Sequence, residues 1–169
     1  IGEQAPPELT KTAEQLRQVL DDLRAMLDSL FDVSRYDAQV VQPDIKPLRL
    51  LPLLEQIVAA AGGGARAKGI TLIARPTDAW VMSDRALLGR MISNIVENGV
   101  RYTEMGSVTI ACVPHEGHLR IEVRDTGRGI PADDLDRVFE PFRQTGEPGR
   151  SVHGGLGLGL AICEGLVRA

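Results

Sequence analysis

The feature that most restricts the fold is an 18-residue stretch, 107–124, reading SVTIACVPHEGHLRIEVR. Apolar and polar residues alternate on both sides of PHEG. A period of two is the pattern of a strand with one buried face, and two such runs around a short turn predict a β-hairpin, 107–113 and 118–124. A hairpin alone cannot bury its apolar face, so other elements of the chain must cover it. The residues before it supply that cover. SDRALLGRMISNIVENGVRY predicts a helix over 84–101, capped by Ser83 or Asp84, with Leu87, Leu88, Met91, Ile92, Ile95, Val96 and Val100 on its buried face.

The rest of the chain fits the same plan. A helix is predicted over about 52–67, with Pro52 in the first turn and the glycine run 62–64 weakening it. ITLIA (70–74) and AWVMS (79–83) read as short strands with a turn at 75–78, and the chain closes with a helix after a glycine-rich segment. QPDIKPLRL, with two prolines, reads as a linker. Residues 8–36 carry Leu16, Val19, Leu23, Met26, Leu30 and Val33 at spacings of three and four, widened by Leu20, Leu27 and Phe31. That stripe suits a helical bundle whose partner helix lies in another segment or another protomer. The division is thus 1–41 bundle helix, 42–51 linker and 52–169 globular domain. The fold class is α+β: a two-layer sandwich with a mixed, mostly antiparallel sheet and helices on one face, preceded by a long bundle helix.

Composition excludes several functions. The net charge of −4 does not favour nucleic acid as a partner, and no run approaches the roughly 18–20 apolar residues of a membrane span. Cys112 and Cys163 form no CxxC pair and read as core residues in a reducing compartment, which places the chain in the cytoplasm. The first residue is not methionine, and the expectation is a piece of a longer protein.

Four segments carry candidate chemistry. Asn94, Glu97, Asn98 and Arg101 recur at three and four residues along one polar stripe. Amide oxygens beside a carboxylate suit a hard cation such as Mg²⁺, and an arginine suits phosphate; a solvated helix face has the same pattern. Asp125-Thr-Gly127-Arg-Gly129-Ile130-Pro ends a strand with an acceptor carboxylate followed by two glycines. That arrangement fits an amino-group donor such as adenine, and equally an Asp-Gly turn. FEPF (139–142) is an apolar anchor for a loop. Gly154, Gly155, Gly157 and Gly159 precede the last helix, where backbone N–H groups can meet phosphate. No Gly-Lys-Ser/Thr follows, so this is not a Walker A loop.

In this order the four segments resemble the N, G1, F and G2 boxes of sensor histidine kinases, within the GHKL superfamily that also holds DNA gyrase and the ninety-kilodalton heat-shock chaperone. NIVENGVRYT is similar to the N box, DTGRGIP to G1, FEPF to F and GGLGLGLAI to G2. The helix at 8–36, ending LFDVSRYDA, resembles the second helix of the family's dimerisation and phosphotransfer domain. The resemblance implies the Bergerat-type ATP-binding fold and transfer of the γ-phosphoryl group of ATP to a histidine. It also implies Mg²⁺ on Asn98, with Asn94, Glu97, Asn98 and Arg101 as the catalytic group. Tyr102, Asp125, Gly127, Gly129, Ile130, Phe142, Gly155, Leu156, Gly157, Leu158 and Gly159 would line the nucleotide site, and 144–154 would form a lid. A response-regulator receiver domain and a homodimer through the bundle helix would be the partners. The acceptor motif His-Glu-x-Arg-x-Pro is absent: His115 and His118 flank the hairpin turn and His153 is in the expected lid. Gly99 replaces the family's usual alanine, and the last strand pair of the family is not in the sequence. A nucleotide-responsive pseudokinase and a chaperone- or repair-type ATPase are the alternative readings.

Overall fold

The computed structural model describes residues 42–143 and 157–168, with Thr12, Leu16, Arg17 and Leu20 as four helical positions nearer the N-terminus. The remainder of the helix expected at 8–36, and the expected lid, lie outside the described residues. Leu16 and Leu20 are 60% and 55% exposed.

Strand β1 (Lys46–Arg49) opens the globular part, inside the stretch expected as a linker. It forms because a two-stranded pairing tolerates proline at an edge. Pro47 stands opposite Met82 of β3 (Trp80–Ser83), in an antiparallel ribbon that has two strands among the described residues. Helix α1 (Leu50–Ala67) follows at once, two residues earlier than expected. Its glycine run stays helical. Gly62 is buried, and a Cβ there would lie 3.1 Å from Arg66 Nη1. Leu50, Leu53, Leu54 and Ile57 bury the face that decides the helix despite the weak propensity of glycine.

The strands at 71–74 and 80–83 do not pair with each other. β2 (Thr71–Ala74) joins a second sheet of order β2–β4–β5, parallel to β4 (Ser107–His115). A parallel pair needs a crossover, and here α2 (Arg85–Tyr102) lies within it. Asp84 caps α2, its Oδ1 accepting from the N–H groups of Ala86 and Leu87 at 2.8 and 3.0 Å. β4 and β5 (His118–Asp125) form the expected hairpin, two residues longer in β4 and one in β5. Its two turn residues, Glu116 and Gly117, have φ of 49° and 79°, the left-handed pair of a type I′ turn that matches strand twist.

Val108, Ile110 and Cys112 of β4 and Leu119, Ile121 and Val123 of β5 alternate toward the helices. Ile110 joins Leu48, Leu53, Leu54, Ile57, Ile92 and Val96 in the main core. Val108 joins Ala65, Ile70 and Val100. Each such side chain, once fully buried, contributes about 1.5–3 kcal/mol. A short 3-10 helix (Ala132–Arg137) follows β5. The last helix, α3 (Gly159–Arg168), packs Leu158, Ile162 and Leu166 on Leu87 and Met91 of α2. α1 and α2 thus pack on the three-stranded sheet and α3 on α2, in an α+β arrangement.

Candidate functional site

Helix α2 is the backbone of the site. Its apolar face is fixed in the core by Ile92, Val96 and Val100, so Asn94, Glu97, Asn98 and Arg101 fall on the other side. The nine residues from Asn94 to Tyr102 span about 12 Å along the axis. Two different segments approach this stripe.

The first is the N-terminus of α3. A Cβ at Gly159 would sit 3.4 Å from Asn98 Nδ2 and 3.9 Å from Asn94 Cβ. The helix thus starts within van der Waals range of the two amides. The first-turn N–H groups of α3 have no partner within the helix and sit at its positive end, a combination that favours anions. Asn94 Nδ2 is buried with no hydrogen-bond partner among the described residues. Cys163 of α3 donates to Met91 O at 3.5 Å, and burial raises its thiol pKa, so it is an inert packing group beside the site.

The second segment is the loop after β5. The register places Asp125 opposite Val108. Gly99 lets α2 come close at this point, since a Cβ there would lie 3.2 Å from Val108 Cγ1 and 3.5 Å from Asp125 Cβ. Asp125 Oδ1 accepts from the Gly127 N–H at 2.9 Å. Oδ2 has no partner among the described residues. Gly127 fits only without a side chain: a Cβ would stand 2.5 Å from Tyr102 O and 2.9 Å from Asp125 Oδ1. Arg128 N–H reaches Tyr102 O at 3.4 Å, and the Arg128 guanidinium lies 4.9 Å from the centre of the Tyr102 ring. Gly129 has φ of 69°. The loop is thereby fastened to the C-terminal turn of α2, and Asp125 and Ile130 are exposed on it.

FEPF anchors its segment differently from the expectation. Phe139 and Phe142 remain 44% and 58% exposed. The backbone and one ion pair do the holding. Phe142 N–H donates to Gly157 O at 3.1 Å, and Arg143 Nη2 pairs with half-buried Asp134 at 2.9 Å. Gly157 has φ of 70°, and a Cβ there would strike the Arg143 carbonyl oxygen. Residues 143 and 157 are therefore adjacent, and Gly155 and Leu156 lie outside the described residues. Leu158 is a core residue, so only its main chain is available to a ligand.

Sequence reasoning missed three supporting residues. Thr126 Oγ1 accepts from Ser107 N–H at 3.0 Å and donates to Met105 O at 3.3 Å, in the space left by Gly106 at φ 116°. Thr103 is fully buried at the end of α2 with its hydroxyl unpartnered among the described residues. Lys68 crosses from the end of α1 to the last carbonyls of α2. Only the Lys-Gly step after a helix hinted at this last contact.

A cleft of about 660 Å³ lies at the other end of α2, lined by Lys46, Leu48, Leu53, Gln56, Asp84 and Gly89 among others. It contains none of the motif residues. The converging glycines, amides and carboxylate outweigh its size as indicators of the site.

The sequence signature of the Histidine kinase-, DNA gyrase B-, and HSP90-like ATPases matches residues 83–169, the part of the chain that builds this site. The chain belongs to that ATPase family. Within it, the chain is 33% identical over 165 residues to sensor histidine kinase AtsR of Burkholderia thailandensis, covering 94% of this chain and 27% of AtsR. It is 32% identical over 165 residues to signal transduction histidine-protein kinase BaeS of Escherichia coli, covering 94% of this chain and 34% of BaeS. The chain thus spans about a third or less of the length of these curated relatives. Full-length ShkA, solved in complex with AMPPNP, superposes with a TM-score of 0.79 at 28% identity, over 98% of this chain and 35% of that one. The fold is the family's mixed α+β fold. None of the helices among the described residues is long and apolar enough to cross a membrane.

Proposed function

We propose that this chain is the ATP-binding catalytic region of a two-component sensor histidine kinase, joined to part of its dimerisation helix. The observation that carries the reading is the closure of two separate motifs on the helix that carries a third. Gly159 comes within van der Waals range of Asn94 and Asn98, and Gly127 meets Tyr102 and Asp125 at a distance no larger residue allows without displacement.

In this reading Asp125 accepts from the adenine amino group through the oxygen that Gly127 does not use, and Tyr102 and Ile130 border the base. The phosphates run along α2 toward the N-terminus of α3, where Gly157 and Gly159 let the backbone approach them, with Phe142 at the edge. Asn94 and Arg101 face the phosphate charge, and Asn94 Nδ2 is a buried donor beside the Cys163 thiol with no oxygen or nitrogen acceptor among the described residues. Asn98 fits Mg²⁺ as an amide-oxygen ligand beside phosphates, and the ion would supply charge neutralisation at the β- and γ-oxygens. Glu97, exposed beside Asn98, is an acceptor for the incoming nucleophile. The γ-phosphoryl group passes to a histidine on a helix that this sequence does not contain, and onward to a response-regulator receiver domain. Positioning and charge stabilisation account for the catalysis. The parent protein dimerises through the stripe at 8–36.

Calorimetry with ATP and Mg²⁺ tests the site. Wild type should bind, and Asn98→Ala should lose affinity by about tenfold or more, the size of one lost charge-assisted contact. Equal affinity of the two proteins removes the metal assignment. Addition of a helix bearing the acceptor histidine should yield an acid-labile, base-stable phosphoprotein, whereas the chain alone should not. Steady release of phosphate with no phosphoprotein would favour an ATPase reading instead.

A further inference from the structure

The last turn of α2 carries the wall of the proposed nucleotide site, and its carbonyls are divided among three partners. Gly99 O accepts from Thr103 N–H at 3.1 Å, closing the helix. Tyr102 O accepts from Arg128 N–H and stands against Gly127. Val100 O and Arg101 O, two of the terminal carbonyls that no helical N–H can reach, accept from Lys68 Nζ at 2.9 and 2.6 Å. Thr103 O lies 3.4 Å from the same nitrogen. All three ammonium protons are thus directed at the negative end of an 18-residue helix.

Lys68 can do this because of its own setting. It is the C-cap of α1, held by its N–H on Ala65 O at 3.1 Å, and Gly69 then turns the chain into β2 at φ 69°. The ammonium joins the end of α1 to the end of α2 without occupying the site. The carbonyls it holds are those of Val100, Arg101 and Thr103. Tyr102 lies between two of them in the chain, and its own carbonyl sets the approach of the Asp125–Gly129 loop.

We propose that Lys68 is a positioning residue for nucleotide binding: it fixes the carbonyl terminus of α2, and through Tyr102 O it fixes the base-reading loop. The inference rests on the proposed nucleotide site. It predicts a specific signature, because the loop it positions faces the base and not the phosphates. Lys68→Met should weaken ATP, ADP and AMP alike, by roughly tenfold, the effect of losing a charged hydrogen-bonding group. Asn98→Ala should weaken only ligands with a β-phosphate.

The test is calorimetric titration of wild type, Lys68→Arg, Lys68→Gln and Lys68→Met with ATP, ADP and AMP, beside thermal melts of each protein without ligand. Affinity should follow donor number, with K68R within about threefold of wild type, K68Q intermediate and K68M weakest. A lowered Tm with unchanged affinity for all three nucleotides would show that Lys68 only stabilises the fold, and would overturn the inference. A loss confined to ATP and ADP would overturn it as well. If K68M does not fold, K68R and K68Q decide the question by the same comparison. Failure of wild type to bind any of the three overturns the proposed function and this inference with it; binding by wild type with a flat lysine series overturns the inference alone.

Discussion

Gly127→Ala is the sharpest perturbation of the site. The added methyl carbon would sit 2.5 Å from Tyr102 O, 3.0 Å from Tyr102 C and 2.9 Å from Asp125 Oδ1. Ordinary contacts of this kind lie near 3.5 Å, so a shift of about 1 Å is needed. The carbonyl cannot give way easily, because α2 is held in the core by Val96 and Val100 and its end is held by Lys68. The loop must move instead. That costs the Asp125–Gly127 hydrogen bond and the weaker Arg128–Tyr102 one, about 1 kcal/mol each, with overpacking of about 1–3 kcal/mol shared between strain and relaxation. A displaced Asp125 loses its place against the base, and a penalty of about 2 kcal/mol corresponds to roughly thirtyfold in affinity. Calorimetry with ATP should show that loss, together with a Tm lowered by several degrees. The control is Gly63→Ala, an exposed helical glycine whose Cβ would meet nothing within 4 Å. If G127A binds ATP within twofold of wild type at an unchanged Tm, the close approach of this loop to α2 is not what shapes the site.

The control variant makes a prediction of its own: G63A should raise stability by about 0.5–1 kcal/mol through helix propensity, measured by urea titration, with ATP affinity unaltered. Asp84→Ala should cost about 1 kcal/mol as a lost N-cap, whereas Asp84→Asn should keep most of the cap. Backbone N–H groups of Leu87 and Asp44 hold the Asp84 carboxyl below its ordinary value of 3.8. Its charged form therefore adds stability above that value, and the contribution disappears as pH falls through the depressed native pKa. The Tm gap between wild type and D84N should narrow below about pH 4; a constant gap from pH 7 to pH 3 would refute this.

What the sequence made legible is what local physics determines. The hairpin was readable because period-two alternation is forced on any half-buried strand, and α2 because its buried positions repeat at helical spacing. A cap at Ser83 or Asp84 was readable for a similarly local reason, and the structure selects Asp84. β1 was not: Pro43 and Pro47 argue against a strand, and only the pairing of Pro47 with Met82, across more than thirty residues, makes one. The partners of β2 and β3 were hidden likewise, since four-residue strands carry no register information of their own. The role of Lys68 exists only once α1 and α2 are packed, so the Lys-Gly step after α1 could not reveal its partners.

The glycines mark the border between the two kinds of knowledge. Their spacing after β5 and before α3 announced a loop shaped around something, yet the same residues act by different physics. Gly129 and Gly157 are needed for a left-handed backbone, and Gly157 also for want of room beside Arg143. Gly127 is needed because a carbonyl stands where its side chain would be, whereas a Cβ at Gly159 would make only ordinary contacts with the two asparagines. A sequence motif cannot separate conformational need from steric need, because both are written with the same letter. The separation matters for function. Alanine at Gly129 would strain a backbone that has open space around it, whereas alanine at Gly127 would push apart the surfaces that form the site. The steric need at Gly127, and not a conformational one, therefore brings the loop after β5 onto α2.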